Sequence, residues 1–168
     1  MTIMIILSVL LVASFVGVTV WRRRELPESI SALVYEFEGA KMWLWSLWML
    51  AVDVLTFAPA IEVLDTRGLA FVAFIPMALL GFVAAMPIFM KEHKLAHDIM
   101  GIAAAVFSQV CVVLICPWWL FAWTIYLFLM GSVIIKRDSR LAKIFRGKGV
   151  FVAEMICYLT LVGAILIH

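Results

Sequence analysis

The sequence predicts an all-α, polytopic transmembrane bundle of six helices, with a short amphipathic interfacial helix after the first. Three observations carry this. Hydrophobic residues make up 67% of the chain and charged residues only 14%, whereas a water-soluble protein is nearer half apolar and a quarter charged. The apolar residues gather into six runs, each long enough, at 1.5 Å per helical residue, to cross a hydrocarbon core of roughly 30 Å. The basic residues fall into alternate connections between those runs. Lipid requires that backbone groups be satisfied internally. Continuous runs of this length do so as helices, not as the alternating strands of a barrel.

The first run covers residues 2–21 and is followed by Arg22, Arg23 and Arg24. A cleaved signal peptide carries its positive charge in front, so this run reads as an uncleaved anchor. In the connection "PESISALVYEFEGAK", Ile30, Leu33, Val34 and Phe37 fall at i, i+3, i+4 and i+7, one apolar stripe. Ser31, Tyr35 and Glu38 share another face, and Pro27 and Ser29 are start signals. This is the amphipathic helix, lying on the interface or packed beneath the bundle. It is either a linker or a lid whose polar face closes a site.

The second and third spans are 42–61 and 68–90, with Pro59, Pro76 and Pro87 expected to kink them. Gly81-x-x-x-Ala85, and Gly101-x-x-x-Ala105 in the next span, allow close helix approach. The fourth and fifth spans, 98–116 and 118–135, meet at Pro117. Proline ends a helix, and Trp118 and Trp119 favour the headgroup layer, so a tight hairpin is expected there. The sixth span is 150–168, and residues 1–168 form one membrane domain. Cys111, Cys116 and Cys157 are odd in number, form no CxxC and read as packing residues.

Arg22, Arg23, Arg24 and Lys41 flank the first connection, Lys91 and Lys94 the third, and Lys136, Arg137, Arg140, Lys143, Arg146 and Lys148 the fifth. The second has only Arg67, beside Glu62 and Asp65, and the fourth has no basic residue. The positive-inside rule then places both termini outside the cytoplasm, in a membrane expected to be the bacterial inner membrane. The basic loops read as topology signals and contacts for anionic lipids, not as a nucleic-acid surface. Membrane lipids are the expected partners, together with a second copy or another membrane protein.

Polar residues can be placed by depth. An inner layer holds His93, His97, Asp98 and Glu154, the last roughly 6 Å into its span. A middle layer holds Asp53, roughly 16 Å deep, with Gln109, Ser108, Tyr126 and Tyr158. A carboxyl group at the bilayer centre costs several kcal/mol, so Asp53 should face the bundle interior and find a partner, with Gln109 at matching depth. Desolvation favours the neutral form of such an acid. Asp53 and Glu154 are therefore the candidate catalytic residues, or Asp53 is neutral packing glue.

In "KEHKLAHD", His93 and His97 are four apart and share a face if the helix begins before Lys94. With Glu154 as third ligand they can hold zinc, which needs about three protein ligands and an open position when catalytic. The alternative is a hydrated polar turn. The pair His93-x-x-x-His97, with Asp53, resembles the alkaline ceramidase and adiponectin-receptor superfamily of membrane hydrolases. That resemblance implies zinc-activated water and lipid hydrolysis. Ser31-x-x-x-Tyr35 carries tyrosine where those proteins carry histidine, and they have seven spans. Taken whole, the chain resembles small multi-span proteins of bacteria and their phages, with "SIS…Y" before the second span and a Lys/His turn before the fourth. That likeness implies no activity. No glycine-rich nucleotide loop, HExxH or GxSxG is present. The sequence thus points to an accessory or transport-type membrane protein with a polar layer around Asp53. The alternative is a zinc-dependent lipid hydrolase using His93, His97 and a carboxylate.

Overall fold

The computed structural model describes residues 1–37, 41–85, 94–135 and 140–168, with Tyr35 and Glu36 described in backbone only. Its α-helices are α1 (Thr2–Arg23), α2 (Met42–Asp65), α3 (Ala70–Ala85), α4 (Lys94–Ile115), α5 (Ala122–Ile135), α6 (Arg140–Phe145) and α7 (Gly149–Ile167). Two 3₁₀ helices, Ser31–Glu36 and Pro117–Phe121, join them, and no strand occurs among the described residues. Among the described residues five helical stretches are long and apolar enough to cross a membrane: α1, α2, α4, the continuous Pro117–Ile135 stretch and α7. The third expected span, 68–90, is represented by α3, which is apolar but shorter; its expected continuation to residue 90 lies outside the described residues.

The helices overrun the apolar runs. The second span was expected to end at 61, yet α2 continues to Asp65; the fourth was expected from 98, yet α4 is helical from Lys94. A helix keeps its backbone hydrogen bonds into the headgroup layer, where polar side chains no longer oppose it. Pro59 and Pro76 sit inside continuous helices. Pro117 does break the chain. Cys116 before it is extended, and the proline opens the 3₁₀ turn that leads into α5.

The connection after α1 differs from a two-turn amphipathic α-helix. It is a six-residue 3₁₀ helix, too short to hold the Ile30-to-Phe37 stripe on one face. Leu33 and Val34 are fully buried against Trp45 of α2 and Val83 of α3, with Phe37 beside them, while Ile30 packs on the Phe151 cluster of α7. The segment is therefore a strap tucked under the bundle. Helix α6 had no counterpart in the apolar pattern, because six residues make too short a periodic signal.

Neighbouring helices pack in chain order from α1 to α4, and α7 then inserts against α4, α5, α2 and α1. The main core lies at the end away from the basic loops, where Ile5, Phe57, Leu64, Ala73, Cys111, Val112, Leu161 and Ile165 meet. Helix α7 has the largest buried share of the membrane-length helices, while α5 has no buried residue. Its side chains Leu127 and Phe128 are 67% and 69% exposed, a surface suited to hydrocarbon and not to water. Gly81 packs on α2 at ordinary contact distance, since a Cβ there would stand 3.8 Å from Asp53 Oδ2. At Gly101 no described atom lies within 4 Å of the Cβ position.

Candidate functional site

The polar side chains within the bundle fall into three groups. The first centres on Gln109 of α4. Its Oε1 accepts from the indole Nε1–H of Trp123 at 2.9 Å and lies 3.2 Å from the Thr160 hydroxyl. Its Nε2 donates to the Cys157 carbonyl and to Ser108 Oγ, both at 3.3 Å. Ser108 in turn donates to the Ala105 carbonyl at 2.7 Å. Gln109 thus ties α4 to α5 and α7 with its amide fully used. It does not meet Asp53, as depth alone suggested. Depth fixes height along the bundle but not direction around a helix, and Gln109 looks toward α7 while Asp53 looks toward α3.

The second group is a hydroxyl chain. Ser8 Oγ lies 2.8 Å from both Thr56 Oγ1 and Tyr158 Oη, and Thr56 donates to the Val52 carbonyl at 2.7 Å. With that donor fixed, the order Tyr158 to Ser8 to Thr56 to Val52 satisfies every hydroxyl. It joins α7, α1 and α2. Tyr158 was foreseen at mid-depth, but Ser8 and Thr56 were not, because serine and threonine so often bond their own helix.

The inner-layer residues disperse. Glu154 Oε2 accepts from the Ile30 backbone N–H at 2.6 Å, and Phe151 N–H donates to the Glu28 carbonyl at 3.0 Å. Glu154 is therefore an anchor for the strap. Tyr126 packs edge-on against Trp123, and its hydroxyl lies 3.7 Å from where a Cβ on Gly149 would stand. That is the start of α7, so the hydroxyl sits near the basic end and not in the middle layer. His93 lies outside the described residues. Among the described residues no three His, Cys, Asp or Glu side chains come together as a metal site. Of the three expected zinc ligands the described residues include His97 and Glu154, and Glu154 Oε2 is the acceptor for the Ile30 N–H.

The third group has no partners. Among the described residues, four buried polar atoms lack a hydrogen bond: Trp45 Nε1, Ser46 Oγ and Asp53 Oδ1 on α2, and His97 Nδ1 on α4. No family model, curated protein or solved structure matches the chain. The site must be read from its own chemistry.

Helices α2 and α4 both start at the basic end. Trp45 and Ser46 are three and four residues into α2, and His97 is three residues into α4, so all three sit roughly 5–6 Å from the helix starts. Trp45, Val83 and Met100 share a cluster, and Met100 is one turn above His97, which brings α2, α3 and α4 together at this level. Asp53 follows Ser46 by seven residues, two turns up the same face of α2, roughly 10 Å deeper. Asp53 is 4% exposed, its Oδ2 lies 3.8 Å from where a Cβ on Gly81 would stand, and its Oδ1 makes no hydrogen bond to any described residue. A buried polar group left unpaired costs about 1–3 kcal/mol. Four on two adjacent helices, beside two fully satisfied networks, mark one face of the bundle as different in kind.

Proposed function

We propose that the chain is a transport-type membrane protein that carries protons through the α2–α3–α4 face, with Asp53 as the mid-membrane carrier and His97 and Ser46 at its mouth. The observation behind this reading is the Asp53 carboxyl group, buried at mid-span with Oδ1 bonded by none of the described residues. An intramembrane acid without a structural partner has a stability cost and no packing return, which is the mark of a functional group. A carboxyl group can take a proton from one side and release it to the other. Imidazole exchanges protons readily near neutral pH and suits the mouth. With the basic loops in the cytoplasm and both termini outside, His97 faces inward, and the inner membrane of a bacterium supplies the gradient.

The test is proton flux into liposomes holding a pH-sensitive dye, driven by a potassium diffusion potential. Wild type should acidify the lumen faster than protein-free vesicles. Asp53→Asn should abolish the flux, because an amide cannot titrate, and Asp53→Glu should retain part of it. Wild-type flux no greater than that of empty vesicles would sink the reading and leave an accessory role. The lipid-hydrolase alternative keeps one supporting observation, the unpartnered Nδ1 of His97, and needs ligands that the described residues do not bring to it.

A further inference from the structure

A cleft of about 480 Å³ opens at the basic end, away from Asp53, lined by Arg24, Glu25, Lys143, Ile144, Arg146 and Lys148. Four cationic side chains face one carboxylate. The walls come from connections far apart in sequence, the end of α1 and the turn between α6 and α7.

Local structure explains why they meet. Helix α1 terminates at Arg24 in the left-handed region (φ 60°), with its N–H on the Val20 carbonyl at 2.8 Å. That turns the chain at once, so Arg24 and Glu25 stay close to the helix end. On the other wall Gly147 has φ 75°, and the turn is closed by Lys148 N–H to the Phe145 carbonyl at 3.0 Å. This sharp return brings Lys143 and Arg146 beside Lys148 at the start of α7. The Phe151-to-Glu28 and Ile30-to-Glu154 hydrogen bonds then hold the two walls at a fixed spacing. The cleft is thus a built feature, framed by backbone bonds on both sides.

Its surroundings say which anion it suits. On α6, Ala142 is buried, whereas Leu141 and Ile144 are 43% and 53% exposed. These two are three apart, one stripe on the outside of a helix that packs on α5. An apolar stripe beside lysines, at the end of a lipid-facing helix, matches the boundary between acyl chains and headgroups. Ile144 belongs both to that stripe and to the cleft, so a ligand there has an apolar edge next to a cationic floor. We propose that this cleft binds the phosphate of an anionic phospholipid headgroup, with its glycerol against Ile144 and its acyl chains along Leu141 and α5. This site is independent of the proton path.

Each cation near the headgroup should strengthen binding about fivefold. Thermal unfolding of the full chain in zwitterionic detergent tests this, with phosphatidylglycerol, phosphatidylcholine or inorganic phosphate added. Phosphatidylglycerol should raise Tm by about 5 °C, and the other two should leave it unchanged. Lys143→Gln with Lys148→Gln should remove most of that rise, while Lys143→Arg with Lys148→Arg keeps it. Lys41→Gln with Lys94→Gln makes the same change in net charge at the same end and should also keep it. Arg24→Gln alone should shift the phosphatidylglycerol titration about fivefold, which carries the test if the double glutamine variant does not fold. An equal rise with phosphatidylcholine, an equal rise with inorganic phosphate, or an unshifted Arg24→Gln titration would each overturn the proposal.

Discussion

At the scale of single residues, Gln109 and Asp53 make opposite predictions from similar depths. Gln109 serves three helices. Gln109→Leu strands the Trp123 indole N–H and should lower stability by about 1 kcal/mol, read as a drop in Tm. Asp53 Oδ1 has no partner among the described residues to strand. Leucine has nearly the same branched shape, and Gly81 leaves ordinary contact room across the helix pair. Asp53→Leu should therefore hold or raise Tm, by up to about 1 kcal/mol of stability, while flux is lost. A clear loss of stability in Asp53→Leu would mean that the carboxyl group is structural glue. The sequence made both residues conspicuous, because a polar group at mid-span is rare. It did not reveal their partners, since Trp123 and Thr160 lie on other helices and nothing in one sequence sets the rotation of a helix about its axis.

At the scale of elements, the strap and the outer hairpin are held by different physics. The strap depends on a carboxylate oxygen accepting the Ile30 N–H. Glu154→Gln keeps an acceptor oxygen and should keep the strap docked. Glu154→Leu should free the Ile30 amide, seen as hydrogen exchange at Ile30 at least ~5-fold faster, the equivalent of about 1 kcal/mol. The hairpin depends on the absence of a side chain. A Cβ on Gly163 would stand 2.5 Å from the Trp119 ring, which packs on α7 there. Gly163→Ala should cost about 1–3 kcal/mol by overpacking, and Trp119→Leu should recover much of it. Pro117 and its tryptophans announced the hairpin in the sequence. Gly163, on a different helix, gave no sign of its role, because a glycine in an apolar run reads as any small residue.

At the scale of the whole molecule, length and apolarity of the runs fixed the all-helical architecture, and charge marked their ends to within a few residues. The strap and α6 were less legible: their conformations follow from burial of Leu33, Val34 and Ala142 against helices distant in sequence. Orientation is a global property that the charge bias predicts. A cysteine placed near Asp65 should react with an impermeant reagent outside the cell, and one near Arg140 only after permeabilisation. The reverse pattern would place the His97 mouth outside and turn the direction of the proposed path.

The hydroxyl chain through Ser8 also bears on how the protein is made. Ser8 belongs to α1, Thr56 to α2 and Tyr158 to α7, and the three are synthesised in that order. When α1 and α2 enter the membrane, Ser8 and Thr56 can already satisfy one another, so the early pair is stable while it waits. The donor that completes the chain is synthesised 150 residues later. Until α7 arrives, the face of α1 and α2 that it will cover stays open to lipid, with the Gln109 amide likewise short of its α7 partners. The bundle is thus latched by α7, whose Tyr158 hydroxyl and Cys157 carbonyl tie together helices made well before it.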